Sequence, residues 1–249
     1  MYYRPAHGET RLSTLRRFVR ENPLGVLTTA ISSPDFPFIQ CSHIPFLLDV
    51  DGESSETELG RLRGHMARAN HQSAAMIECL ASNPAGGNTL QHEVMVLFTS
   101  PVQHYITPKF YTETKPDTGK VVPTWNYAAV QAYGRATIYF DNKDADKDIF
   151  LTKQIHDLSR MGEIQVMGYS GENGRPKPWS VQEAPERYID MKKKGIIGIE
   201  IIIERLQGKY KMSQDKSEGD RRGIIKGFED MGSEVSREMA QIVRDRGGL

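Results

Sequence analysis

Hydrophobic and polar positions along the chain follow two periods. Leu12, Leu15, Phe18 and Val19 recur at helical spacing behind Thr10, a residue type that caps helices, until Asn22-Pro23 breaks the run; this predicts one amphipathic helix. Residues 24–32, rich in Val, Thr and Ile, are followed by Ser33-Pro34-Asp35 and by 39–49, a second extended run broken or bulged at Pro45. That pattern predicts a hairpin. Residues 61–66 resume a short strand and 67–80 predict a helix. Val94 to Phe98 is apolar on both faces, as a central strand is. Val130, Ala132, Ala136, Ile138 and Phe140 alternate with Gln131, Tyr133, Arg135 and Thr137, the pattern of a half-exposed strand. Residues 144–161 read as a helix. Ile197, Ile199, Ile201 and Ile203 share one strand face with Glu200 and Glu204 opposite, and two charged helices follow from Ser217.

The acidic 51–58 stretch, the Pro84-Ala85-Gly86-Gly87-Asn88 cluster and the polar 171–178 run read as surface connections. No internal repeat interrupts the order, and Gly86-Gly87 lacks the Lys-Ser/Thr of a phosphate loop. Strands outnumber helices and lie in antiparallel-looking runs, without the strand-helix alternation of a doubly wound sheet. The expected class is α+β, mainly antiparallel β, as a barrel with peripheral helices.

Charge narrows the functions. Thirty-two Lys and Arg balance 32 Asp and Glu, so no global positive field gathers nucleic acid, and direct nucleic-acid binding is not expected. Lys192-Lys193-Lys194 and Arg221-Arg222 read as solvated helix faces. Cys41 and Cys79 are far apart and no zinc-ligand spacing occurs, so no metal site is expected. The start of the chain lacks the apolar core of a signal peptide, and its most apolar later run, 195–203, is interrupted by Glu200. A cytoplasmic protein that does not enter the membrane is the expectation.

Four clusters mix donors with apolar surface: Cys41-Ser42-His43-Ile44-Pro45-Phe46, Gly64-His65-Met66-Ala67-Arg68-Ala69-Asn70, Val122-Pro123-Thr124-Trp125-Asn126-Tyr127 and Lys209-Tyr210-Lys211-Met212-Ser213-Gln214. With 103–111 (QHYITPKFY) and 222–228 (RGIIKGF), they resemble, in order, the motifs of the PaiB-type proteins, a family described as FMN-binding and related to the pyridoxamine-phosphate oxidases. The resemblance covers nearly the whole chain. It implies a split β-barrel with peripheral helices, a single FMN-binding domain over 1–249 with a helical extension from about residue 213, and a homodimer with the cofactor at the subunit interface. It places the flavin ring beside Ser42, His43 and Ile44 and the phosphate beside Arg68, and it allows Trp125, Asn126, Lys211, Ser213 and Gln214 to complete a site begun by the other chain.

The residues themselves fit that chemistry. A flavin phosphate needs cationic and N–H donors, which Arg68, Asn70 and the amides opening the 67–80 helix supply. The ring needs a flat, mostly apolar slot, which 42–44 with His65, Met66 and Ala67 supply. Structural readings stand beside these: His43 and His65 as satisfied core or dimer histidines, Arg68 as a surface ion pair, Trp125 and Asn126 as anchors of a loop-like stretch. The chain departs from the family pattern where His71-Gln72 replaces Pro-Gln and Asp215-Lys216 replaces Asn-Arg, and the second change puts an anion contact there in question. The 51–58 and 81–92 stretches look like insertions. Three functions follow: a flavin-dependent oxidoreductase or flavin-binding sensor; a transcriptional regulator of the PaiB type; or a haem-binding split barrel with an axial ligand from His43, His65, His71, His92 or His104.

Overall fold

The structure, a computed structural model, describes residues 1–52, 55–82 and 86–249. Glu53 and Ser54 of the acidic stretch, and Asn83, Pro84 and Ala85 of the expected 81–92 insertion and Gly-rich turn, lie outside the described residues. The strands are β1 (Gly8–Glu9), β2 (Leu24–Ala30), β3 (Ile39–Pro45), β4 (Leu47–Asp49), β5 (Arg61–Ala67), β6 (Val94–Thr99), β7 (His104–Ile106), β8 (Thr124–Tyr139) and β9 (Ile196–Lys211). The helices are α1 (Leu12–Glu21), α2 (His71–Ala81), α3 (Thr114–Thr118), α4 (Ala145–Met161), α5 (Glu186–Lys194), α6 (Glu218–Met231) and α7 (Glu234–Gly247).

The chain forms two compact units, one of residues 19–97 and 132–206, the other of 1–18, 98–131 and 207–249, and β8 and β9 contribute to both. In the first unit the strand order is β3-β2-β6-β8-β9-β5-β4, and the registered pairs are antiparallel. Ile197, Ile199 and Ile201 are fully buried and Ile203 nearly so, while Ile202 points outward at 60% exposure. Each buried isoleucine contributes about 1.5–3 kcal/mol over an exposed one, and that parity fixes which face of β9 enters the core. Gly134 on β8 is required by close approach, because a Cβ there would run into the carbonyl of Ile202. This is the expected α+β architecture: a mainly antiparallel split-barrel sheet with peripheral helices.

Three expectations shift in detail. The run 39–49 is two strands, with β3 pairing β2 while β4 pairs β5, so the break at Pro45 redirects the chain to a different neighbour. The helix expected over 67–80 begins at His71: Ala67 still pairs with Ile196 in β5, and the Asn70 side chain accepts from the Gln72 amide as the N-cap. The loop-like stretch at Trp125 and Asn126 is the start of β8, paired with β7 through His104–Asn126 and Tyr105–Trp125. Pro123 sits just ahead of that strand, where a missing N–H costs no ladder bond.

In the second unit, β1 pairs with the end of β9 and β7 with the start of β8. Phe110 lies against α6: a Cβ on Gly223 or Gly227 would run into it, and its ring stands edge-on to Phe228 at 5.4 Å. Two of the six motif segments, 103–111 and 222–228, therefore meet as packing.

Candidate functional site

The predicted site residues fall into two groups, one in each unit. In the 19–97/132–206 unit, strand alternation buries Ile44 and Met66 and leaves Ser42 and His65 half-buried and His43 and Ala67 exposed. The Asn70 amide donates to Ser42 Oγ at 3.1 Å and its oxygen accepts from the Gln72 amide at 2.8 Å, tying β3 to the start of α2. Gln72 is buried and donates to Leu27 O, Thr29 Oγ1 and Gln40 O. The helix start is thus clamped to the β2–β3 pair. Around it, His65 Nδ1, Gln40 Nε2 and Gln72 Oε1 are buried polar atoms without a hydrogen-bond partner, an arrangement that costs free energy unless a ligand or water satisfies it. Burial lowers the His65 pKa, favouring the neutral ring with one donor and one acceptor nitrogen.

Arg68 follows β5. Its backbone amide donates to Gly195 O at 2.9 Å and its guanidinium to Phe140 O. No carboxylate pairs with it among the described residues, so it is not the surface ion pair of the alternative reading, and the other donors of its fork remain for an anion. Sequence reasoning missed its neighbour. Lys147, 3% exposed, donates to Asn142 Oδ1, and its pKa is lowered by burial and then by the charge of Arg68. The signal was its place on the buried stripe of α4 with Leu151 and Gln154, where a lysine is unusual.

The second group surrounds a cavity of about 290 Å³ in the other unit, lined by Tyr2, Arg4, His7, Val122, Pro123, Thr124, Asn126, Lys209, Lys211, Ser213, Asp215 and Lys216. Asn126 is fully buried and its oxygen accepts from Ser213 Oγ at 3.1 Å, while its Nδ2 has no partner. Ser213 holds φ +63°, a left-handed conformation uncommon for serine. The Lys211 ammonium donates to Thr124 Oγ1 and to Trp125 O at 2.8 Å. Burial lowers the Lys211 pKa; nearby Asp215 opposes this, and the charges of Lys209, Lys216 and Arg4 add to it. Gln214 serves the backbone, accepting from the Met212 amide and donating to Tyr210 O. Trp125 is half-exposed and donates to Gln103 Oε1 at 3.0 Å.

A third polar centre was invisible in the sequence. Arg63, 5% exposed, donates to Asp49 through both Nε and Nη2, to Asp157 at 2.8 Å and to Gln154 at 3.2 Å. It borders a cavity of about 430 Å³.

Residues 1–205 match the family model described as "Putative FMN-binding domain". The chain belongs to that family. An uncharacterized protein of Aspergillus fumigatus is 52% identical over 258 residues, covering 100% of this chain and 98% of the relative; one of Emericella nidulans is 54% identical over 254 residues with the same coverage. "Protease synthase and sporulation protein PAI 2" of Bacillus subtilis is 25% identical over 238 residues, covering 95% and 93%. The PaiB-type resemblance of the motifs is therefore a family relationship. The family match ends before Lys209, Lys211, Ser213 and Asp215. Among the described residues, no helix is long and apolar enough to cross a membrane.

Proposed function

We propose that this protein binds FMN through its 19–97/132–206 unit, with the ring against Ser42, His43 and Ile44 on β3 and His65, Met66 and Ala67 on β5, and the phosphate at Arg68 and Asn70. The family match over 1–205 carries the reading, and it favours flavin over haem. The residues fit the group. A flavin ring edge presents both donors and acceptors, and the orphaned atoms of His65, Gln40 and Gln72 are of both kinds. A flavin phosphate needs a cation not already neutralised, and Arg68 with Lys147 beside it supplies one.

When bound, the flavin supplies hydride or electron transfer. The chain's own part is to position it: Ile44 and Met66 give an apolar wall, neutral His65 offers a hydrogen bond without adding charge, and Asn70 fixes β3 against the capped start of α2. The reading includes a homodimer in which Trp125, Asn126, Lys211, Ser213 and Gln214 close a site begun by the other chain. Absorbance spectra of the purified protein with added FMN test it. Saturable binding with resolved flavin bands, at least tenfold weaker in Arg68→Ala, is expected, together with a dimer in sedimentation. A protein that stays colourless with excess FMN overturns the reading.

A further inference from the structure

The cavity built from 1–18, 98–131 and 207–249 has a charge arrangement that its own residues do not balance. Arg4, Lys209, Lys211 and Lys216 line it with a single carboxylate, Asp215. That carboxylate is already engaged, accepting from Arg4 at 3.3 Å and lying 3.4 Å from the imidazole of His7, which is 4% exposed. Burial opposes ionisation of Asp215, yet Lys216 and His7 hold its pKa below the ordinary value, so it stays charged.

The direct hydrogen bonds of Lys209 and Lys211 go to neutral groups, while Lys216 acts on Asp215 through space. Lys209 donates to Tyr2 O at 3.3 Å and stands 5.2 Å from the centre of the Tyr127 ring. Lys216 stands 5.7 Å from the Tyr111 ring. Lys211 spends two of its three N–H bonds on Thr124 Oγ1 and Trp125 O and keeps one. Uncompensated charge is costly in proportion to its burial, and Lys209, Lys211 and Lys216 are half-buried. They line the same cavity as Asn126, which is fully buried and whose Nδ2 lacks a partner. The left-handed Ser213 orients the hydroxyl that holds the other end of that amide, and backbone strain of this kind collects at ligand sites.

We propose that this cavity binds a small oxyanion, the phosphate or carboxylate group of a small molecule, held by Lys211 and the Asn126 amide and drawn in by Lys209, Lys216 and Arg4. The volume of about 290 Å³ lies at the lower limit of ligand pockets. It suits one acidic end of a molecule rather than a whole flavin nucleotide. With Asp215-Lys216 in place of the family's Asn-Arg the cavity still carries Arg4, Lys209, Lys211 and Lys216 against one carboxylate, which Arg4, His7 and Lys216 share. Lys211 and Asn126 are also among the residues proposed to close the partner's flavin site; the oxyanion inference rests on the cavity's own lining and does not need that role.

Calorimetric titration of the full chain with inorganic phosphate tests the site. Saturable binding is expected, at least tenfold weaker in Lys211→Gln, severalfold weaker in Lys216→Gln and severalfold tighter in Asp215→Asn, which removes the competing carboxylate. Lys216→Gln and Asp215→Asn change charge at the cavity rim, so they keep the test informative if Lys211→Gln does not fold. Two results support the site and separate its sources: phosphate that binds alongside saturating FMN marks a separate anionic substrate, and phosphate displaced by FMN but not by riboflavin marks the flavin's own phosphate. Absence of saturable phosphate binding, or binding indifferent to all three substitutions, overturns it. A chain that takes phosphate but no flavin sinks the flavin reading alone, and one that takes flavin in an Arg68-dependent way but no phosphate sinks the oxyanion site alone.

Discussion

Arg63 is a buried cation and Lys211 a half-buried one, and their surroundings differ in kind. Arg63 meets two carboxylates and a carboxamide. Lys211 meets a hydroxyl and a carbonyl, with three further cations bordering the same cavity. Desolvation costs the buried Arg63 charge several kcal/mol and the half-buried Lys211 charge less, and only Arg63 has carboxylates in direct contact to offset it. A network closed on itself reads as architecture. One left open toward a cavity reads as a place prepared for something that is not protein; Arg68, bonded to a backbone carbonyl and lying near Lys147, shares with Lys211 only the want of a carboxylate partner.

The sharpest way to break this contrast is to open the closed network. Arg63→Ala leaves Asp49 and Asp157 facing each other around a hole, and because both carboxylates are nearly a third exposed the loss belongs at the low end for a buried pair, about 3 kcal/mol. Urea denaturation measures it. Arg63→Met combined with Asp157→Asn is expected to recover most of the loss; if it recovers none, the network is more than a structural closure.

Glu9 is a second closed centre, in the other unit. It is 6% exposed and accepts from Arg11 and, at 2.7 Å, from Arg246. Burial alone would raise its pKa, but Arg11 and Arg246 overcome that and bring it down to about 2. A depressed folded-state value contributes stability that is fully present above the ordinary glutamate pKa and is lost as pH falls from about 4.3 through the folded value. The contribution at neutral pH is about 2 kcal/mol, allowing for partial solvent screening. Glu9→Gln should lose that amount at pH 7 and show a flatter stability profile below pH 4.5; an unchanged profile would show that the acid sensitivity lies elsewhere.

These contrasts explain what the sequence makes legible. The parity of Ile197, Ile199 and Ile201 and the Asn22-Pro23 break that ends α1 are local signals, and both appear in the structure where the pattern placed them. Trp125 and Asn126 were misread because Pro123 resembles a loop signal, although a proline just ahead of a strand disturbs nothing. The polar end of β9 hides a strand because Lys209 and Lys211 line a cavity rather than an apolar core. Arg63 had no local signature at all: Gln154 and Asp157 lie 91 and 94 residues away. Nor could any spacing show that Asp215 would be absorbed by Arg4, 211 residues distant.

A smaller effect separates helix capping from ligand contact. Asn70→Ala removes the cap of α2 and the bond to Ser42, and should cost about 1 kcal/mol in stability. Asn70→Asp keeps the cap but places a negative charge beside the proposed flavin phosphate, so it should hold stability and weaken FMN binding. Equal FMN affinity in wild type and Asn70→Asp would remove Asn70 from the phosphate site and leave it a cap.

The smallest effect tests whether carboxylate pairing by itself is the discriminating feature. Arg222 on α6 donates to Glu218 through both Nε and Nη2, the same two donors that Arg63 turns to Asp49. Its side chain is 66% exposed and that of Glu218 59%, so water screens the attraction and the two flexible chains lose entropy to hold it. Arg222→Gln should therefore change stability by no more than ~0.5 kcal/mol, a difference read from paired urea curves at 0.1 M salt. A loss above 1 kcal/mol would mean that pairing outweighs burial in this protein. In that case the missing carboxylate at Lys211 would have to be judged against every cation on the surface, rather than against Arg63 alone.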